Sequence, residues 1–184
     1  MKICIFKGSP NKLGFTNKLV ERFKNEIDAE IVEFDAYRMK ISACVDCKYC
    51  DKVYNDCCIK DDMAEVYKQI KDCDAILVAS PIHVASVTAP LLAIFSRFQI
   101  YFATKFVHKK GIPLKPKKGY LFLTSGQKWE GHQKSVETIV KTSFLELNTK
   151  LREVIALSGT DNNNTDADID SQIDKIIKDI YEVN

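Results

Sequence analysis

Five cysteines fall between positions 44 and 58, as Cys44-x2-Cys47-x2-Cys50 followed by the pair Cys57-Cys58. Thiolates this closely spaced can converge on one centre, with Cys44, Cys47, Cys50 and Cys58 as the four donors and Cys57 as an alternative fourth. Soft sulfur donors suit zinc or an iron–sulfur cluster. Three of them on a C-x2-C-x2-C run match the spacing used for [4Fe–4S] ligation, whereas zinc sites normally draw on two separated pairs. Reduced thiols packed in a surface loop are the plain alternative. The two remaining cysteines, Cys4 and Cys73, lie in or beside apolar runs and are expected in the core.

A second segment, Gly8-Ser9-Pro10-Asn11-Lys12-Leu13-Gly14-Phe15-Thr16-Asn17, places glycines, hydroxyls and amides where a helix begins. A helix start offers unpaired N–H groups and partial positive charge, which favours an anion such as phosphate. Ser9 and Thr16 add hydroxyl donors, and Asn11 and Asn17 add amides. A nucleotide-hydrolysing P-loop is not written here: five residues separate the glycines, and Phe15 stands where that motif needs lysine. The glycine triplet of a dinucleotide fingerprint is also absent, although Glu33 and Asp35 lie at the distance of a ribose-binding acid. An ordinary capped turn is the competing reading.

Two further loops carry chemistry. Ser80-Pro81-Ile82-His83-Val84-Ala85-Ser86 follows an apolar run, and its proline-fixed backbone could lay amides along a flat heterocycle, with His83 at a ring edge. Thr124-Ser125-Gly126-Gln127 supplies another glycine-containing turn. Three such loops could enclose one planar, phosphorylated ligand.

The elements needed to position these loops follow from periodicity. Strands are expected at Lys2–Phe6, Glu30–Phe34, Ala75–Ala79, Gly119–Thr124 and Leu151–Leu157. Helices are expected at Phe15–Ile27, Asp62–Lys71, Val87–Tyr101 and Gln133–Leu147, then beyond a Thr160–Asp168 loop in a last helix with Ile169, Ile173, Ile176, Ile177 and Ile180 on one face. Strands apolar on successive residues, such as Ala75-Ile76-Leu77-Val78-Ala79, suit a sheet covered on both faces, and alternation with helices makes it parallel. The fold class is therefore α/β, a three-layer doubly wound five-stranded parallel sheet. In such folds ligands sit beyond the carboxyl ends of the strands, where the loops above emerge.

Composition limits the remaining choices. A chain of 184 residues is one ordinary domain, taken as residues 1–184. With 27 Lys+Arg against 25 Asp+Glu, bulk charge gives no footprint for nucleic acid. The basic stretch Lys105–Lys118 lacks interleaved aromatics and reads as a solvated crossover loop, with attraction of nicotinamide-cofactor phosphates as the other reading. No apolar run reaches the roughly 18 residues of a membrane helix, no signal segment opens the chain, and an odd seven cysteines argue against a secreted disulfide framework. A cytoplasmic protein is expected.

Together, Gly8-Ser9-Pro10-Asn11 with Gly14-Phe15-Thr16, the loop ending Cys58-Ile59-Lys60-Asp61-Asp62-Met63, Ser80-Pro81-Ile82-His83, and Thr124-Ser125-Gly126 resemble the flavodoxin-like NAD(P)H-dependent FMN reductases, including the iron–sulfur flavoproteins. The resemblance spans nearly the whole chain. It implies FMN as cofactor and NAD(P)H as electron donor, with the phosphate held by Ser9, Asn11, Thr16 and the amides around Phe15. Pro81, Ile82, His83 and Ser86 would line the isoalloxazine and ribityl, and Ser125 and Gly126 would close the far side. Asn11 stands where the family commonly has a basic residue, and His83 where it commonly has an aromatic one. The flavin carries the chemistry, so no side chain is required as a base and His83 is at most a modulator. Electrons would pass to a small acceptor such as a quinone or free flavin, or to a redox protein. With a [4Fe–4S] cluster on the cysteine loop the role becomes electron transfer. A non-enzymatic flavin- or metal-holding module is the remaining alternative. The aromatic Val87–Tyr101 helix suggests a homodimer or homotetramer surface, burial in the core being the other reading of it.

Overall fold

The computed structural model describes residues 1–128, 131–162 and 168–182. Five strands, β1 (Lys2–Lys7), β2 (Glu30–Asp35), β3 (Ala75–Pro81), β4 (Lys117–Ser125) and β5 (Thr149–Ser158), form one parallel sheet in the order β2-β1-β3-β4-β5. Among the described residues the α-helices are α1 (Phe15–Glu26), the short α2 (Tyr49–Lys52), α3 (Met63–Asp72), α4 (Ala89–Ser96), α5 (Gln99–Phe106), α6 (His132–Glu146) and α7 (Ile169–Tyr181).

The apolar runs are explained by two cores, one on each face of the sheet. In β1, Cys4 and Phe6 point to one core while Ile3 and Ile5 point to the other; in β4, Leu121 and Leu123 oppose Tyr120 and Phe122. Side chains alternate across a strand, so a strand buried on both faces must be apolar at every position. Leu19, Val20 and Phe23 of α1 and Ile173, Ile176 and Ile180 of α7 seal one face. Residues of α3, α4, α5 and α6 seal the other, and Cys4 and Cys73 are buried in that core as expected. Gly119 lets α6 approach β4, because a Cβ there would lie 2.4 Å from the Phe144 ring.

The strands and helices expected from periodicity are present, with boundaries shifted by a few residues. Two expectations are corrected, and one choice between open readings is decided. The helix expected over Val87–Tyr101 is two helices, α4 and α5, broken at Arg97 and Phe98, where Arg97 N–H donates to Ile94 O and Phe98 N–H to Phe95 O in tight three-residue turns. Phe95, Phe98, Ile100 and Tyr101 are core residues rather than an outer surface; Phe102 is exposed. Finally, the Lys105–Lys118 stretch is a loop only between 107 and 116. Lys105 belongs to α5, and Lys117 and Lys118 are buried at the start of β4, where their ammonium groups donate to the Lys115 and Glu182 carbonyls. Of the Thr160–Asp168 loop, Thr160–Asn162 forms a short 3-10 turn and residues 163–167 lie outside the described residues. Among the described residues, no helix is long and apolar enough to cross a membrane.

Candidate functional site

The sheet order reverses direction between β1 and β3, which opens a crevice beyond their carboxyl ends. Gly8 leaves β1 there with its N–H donating to Ala79 O (2.8 Å), and a Cβ on Gly8 would collide with Leu91 and approach Thr88 Oγ1 to 2.9 Å. Only glycine fits at this crossing. The loop then turns: Asn11 Oδ1 accepts from Leu13 N–H (3.1 Å), Asn17 Nδ2 donates to Asn11 O (2.7 Å), and Ser9 Oγ donates to the same carbonyl at 3.4 Å.

Helix α1 starts at Gly14 without any side-chain cap and without an acidic residue in its first turn. Its first helical bond is Lys18 N–H to Gly14 O, so the amides of Phe15, Thr16 and Asn17 have no helical partner. Buried Thr16 and Thr124 share a 2.7 Å hydroxyl bond across 108 residues, which fastens the first turn of α1 to the end of β4. One of the two hydroxyl hydrogens stays available to a further acceptor.

Pro81, Ile82, His83 and Ser86 lie at the neighbouring exit of β3. Ile82 N–H donates to Thr124 O (2.8 Å), and His83 and Ser86 exchange two backbone bonds of 2.9 Å around Val84 and Ala85. Both turn residues have left-handed φ, 51° and 54°, and Val84 is completely exposed. Ser125 and Gly126 follow β4: Thr160 Oγ1 donates to Ser125 O, and Asp161 packs where a Gly126 Cβ would be. The three chosen loops thus meet at one edge. Beside them an open cleft of about 840 Å3 runs past Ile82, Ser125, Gln127 and Ser158.

Two polar atoms in this crevice are buried without a hydrogen-bond partner, Asn17 Oδ1 and Thr88 Oγ1. Such groups cost about 1–3 kcal/mol each unless a ligand or water completes them. Thr88 and the Thr124 hydroxyl were not anticipated as site residues; the signal for Thr88 is its place two residues before Pro90 at the start of an apolar helix.

The cysteine loop is pinched at its neck. Lys40 N–H donates to Asp62 Oδ2 (2.7 Å) and Ser42 N–H to Asp61 Oδ2 (2.9 Å). Arg97, with only 1% of its side chain exposed, reaches in from the α4–α5 break to bind Asp61 Oδ2 (2.8 Å), Ser42 O (2.9 Å) and Ile59 O (3.2 Å). Burial alone would push the Asp61 carboxyl up, but hydrogen bonds from Arg97 and from the Ser42 and Met63 amides outweigh it and hold it below the usual range. The sequence signal for Arg97 is a single cation inside an apolar helical run.

Within the loop, Cys44 N–H donates to Ser96 Oγ, and His108 Nε2 bonds Cys50 O at 2.8 Å. Cys44, Cys47, Cys50 and Cys57 line a cavity of about 20 Å3; Cys44, Cys50 and Cys57 are half-buried, whereas Cys47 and Cys58 are exposed with their sulfurs 3.4 Å apart. The Tyr49 amide, followed by Cys58, draws the Cys47 thiol below its ordinary value. Among the described residues, no three His, Cys, Asp or Glu side chains are gathered closely enough to hold a metal ion. The donor types fit an iron–sulfur cluster; their arrangement here does not.

A five-stranded parallel sheet in the order β2-β1-β3-β4-β5, with helices on both faces, is a flavodoxin-like fold. The chain belongs to the NADPH-dependent FMN reductase family, whose model matches residues 1–161. It is 31% identical over 154 residues to an iron–sulfur flavoprotein of Archaeoglobus fulgidus, covering 83% of this chain and 73% of that one. It is 29% identical over 141 residues to an iron–sulfur flavoprotein of Methanocaldococcus jannaschii, covering 76% and 69%. Among solved structures it is similar to an NAD(P)H:quinone oxidoreductase from Methanothermobacter marburgensis, with a TM-score of 0.75 and 16% identity over 100% of this chain and 98% of that one. An azoreductase from Bacillus anthracis superposes with a TM-score of 0.67 and 15% identity over 98% of each chain. Likeness at these identities shows the shared fold. The protein is an oxidoreductase of the flavin-dependent NAD(P)H reductase family.

Proposed function

We propose that this chain binds FMN at the carboxyl edge of the sheet, accepts reducing equivalents from NAD(P)H and passes them to a small acceptor such as a quinone or free flavin. The observation that carries this reading is the uncapped start of α1 beside the unpartnered Asn17 Oδ1 and Thr88 Oγ1. Buried polar atoms left incomplete at the mouth of a helix dipole fit a phosphorylated cofactor with donors of its own.

When bound, the flavin supplies hydride acceptance and onward electron transfer. The chain's own residues bind and orient it. The amides of Phe15, Thr16 and Asn17, with Ser9 and the exposed Asn11, hold the phosphate. Thr16, through Thr124, keeps that helix start fixed against β4. Pro81, Ile82, His83 and Ser86 form a hydrogen-bonded platform for the ring and ribityl, and Ser125 and Gly126 bound the opposite side. No side chain is assigned as a base.

The second reading, an electron-transfer protein with a [4Fe–4S] cluster on Cys44, Cys47, Cys50 and Cys58 or Cys57, is favoured by five cysteines on one loop and by the names of the curated relatives. Among the described residues, however, the sulfurs are not gathered for a cluster.

The test is FMN titration followed by steady-state NADH and NADPH oxidation with quinone, free flavin and azo acceptors. Ser9→Ala/Thr16→Val should weaken FMN affinity about tenfold, the equivalent of roughly 1.4 kcal/mol. Unchanged affinity removes these residues from the phosphate site, and no turnover with any acceptor leaves a flavin-holding module.

A further inference from the structure

The cysteine loop holds two different kinds of thiol. Cys44, Cys50 and Cys57 are half-buried, while Cys47 and Cys58 are exposed and touch each other at 3.4 Å, Cys47 also bordering the small cavity. Their approach is built in by the neck. Two amide–carboxylate bonds join residues 40 and 42 to Asp62 and Asp61, and Arg97 binds a carbonyl on each arm, Ser42 and Ile59. Asp46 and Lys48, on either side of Cys47, both have left-handed φ (51° and 59°), a turn that presents Cys47 across the loop to Cys58.

The separation is informative. Two thiolates on one tetrahedral metal with bonds of about 2.3 Å stand roughly 3.8 Å apart, and those on separate irons of a cubane stand much farther. A disulfide needs about 2.05 Å. At 3.4 Å these sulfurs stand closer than two ligands of one metal, in contact across a loop already closed at its neck.

We propose that Cys47 and Cys58 form a reversible disulfide, a thiol-modification site whose oxidant is a hydroperoxide. The Cys47 thiolate attacks one peroxide oxygen, breaking the O–O bond, releasing an alcohol or water and leaving a sulfenic acid. The Cys58 thiol then displaces that hydroxyl as water and the S–S bond forms. Two thiols lose two electrons and two protons, and the peroxide gains both. A dithiol reverses the reaction and is itself oxidised to a disulfide. The bond consumes two donors of the second reading's ligand set, so metal occupancy and the disulfide exclude each other.

The experiment uses the full-length, flavin-loaded protein, freed of metal by a chelator, reduced, desalted anaerobically and treated with one equivalent of hydrogen peroxide. Remaining thiols are alkylated and the tryptic peptides mapped. Alkylatable cysteines in the denatured chain should fall from seven to five, with residues 41–48 joined to 53–60 and fragment ions placing the bond at Cys47 and Cys58. Dithiothreitol should restore all seven. Cys44→Ser and Cys57→Ser should retain the link, and Cys47→Ser and Cys58→Ser should lose it. A wild-type link through Cys44, Cys50 or Cys57 at comparable yield, or oxidation of Cys47 to sulfinic acid with no link, overturns the proposal. Flavin absorbance in the same sample reports cofactor retention separately, so loss of the FMN reading leaves this outcome legible.

Discussion

Arg97 offers the sharpest test of how the chain shapes its cysteine loop. Replacing it by methionine keeps much of the apolar stem and removes the guanidinium. Asp61, whose side chain is 12% exposed, then loses its ion pair with Arg97, and the Ser42 and Ile59 carbonyls lose a donor each. Removing one partner of a buried pair typically costs about 3–5 kcal/mol. Asp61 keeps the Ser42 and Met63 amides at 2.9 and 3.1 Å, so the loss should sit at the lower end, about 3 kcal/mol. For a chain of this length that is roughly 6–12 °C in Tm.

The assay is urea unfolding of wild type, Arg97→Met, Asp61→Leu and the double variant, with midpoints compared at unchanged slope. Arg97→Lys, which keeps the charge but not the fork, should fall between wild type and Arg97→Met. Acid supplies an independent check. Asp61 titrates below its ordinary value in the folded chain, so its contribution is full above the unfolded carboxylate range and is lost as pH falls through the folded value. The penalty of Arg97→Met should therefore shrink in acid. A loss below about 1 kcal/mol at neutral pH, the scale of an exposed pair, with no coupling in the cycle, would refute the reasoning.

Two other substitutions probe local cost. Val84→Asn/Ala85→Gly fits the two left-handed positions of the His83–Ser86 turn and should add about 1–2 kcal/mol, read as a higher melting temperature; an unchanged or lower one contradicts the strain. Burial pushes the Glu146 carboxyl up to about 7, so its ionisation opposes folding above the ordinary carboxylate range, increasingly so up to pH 7. Glu146→Gln should therefore gain roughly 1–3 kcal/mol at pH 8 and nothing near pH 4, with equal effects at both pH values counting against it.

Local pattern made much of this molecule legible. Ile3 and Ile5 against Cys4 and Phe6 announce a strand buried on both faces, and Gly14 followed by Phe15-Thr16 announces a helix start open to an anion. Interactions that join distant segments left no such trace. Thr16 and Thr124 are separate turn residues until the sheet brings them to 2.7 Å. Asp62 reads as the start of a helix and Asp61 as the residue before it, yet their carboxylates close the neck of the preceding loop. Lys117 and Lys118 read as solvated because charge usually is; Lys117 instead turns back on the neighbouring Lys115 carbonyl, and the Glu182 carbonyl that receives Lys118 arrives only with the end of α7. The break at Arg97 is of the same kind. Helical periodicity continues through it, and the reason to stop lies 36 residues away in Asp61.

Polar completeness decides between the two large clefts. The one at the amino edge, about 990 Å3 and lined by Lys105, Lys117, Lys118, Lys150 and Arg152, is the larger and the more basic. Much of its charge is spent within the protein: Asp74 on Lys115, Lys117 and Lys118 on carbonyls, Lys141 on Glu137, and Arg152 on Asp179 through contacts as short as 2.6 Å. At the carboxyl edge the balance is reversed. Amides at the head of α1 lack helical partners, Asn17 Oδ1 and Thr88 Oγ1 are buried and incomplete, and the β3 turn carries two non-glycine residues in left-handed conformation. A fold that tolerates unpaired polar atoms and backbone strain must recover that free energy elsewhere, and such costs concentrate where a ligand completes them. Volume and charge point to one end of the sheet, but the free amides at the head of α1, with Asn17 Oδ1 and Thr88 Oγ1 beside them, mark the other, and it is there that the flavin belongs in the proposed function.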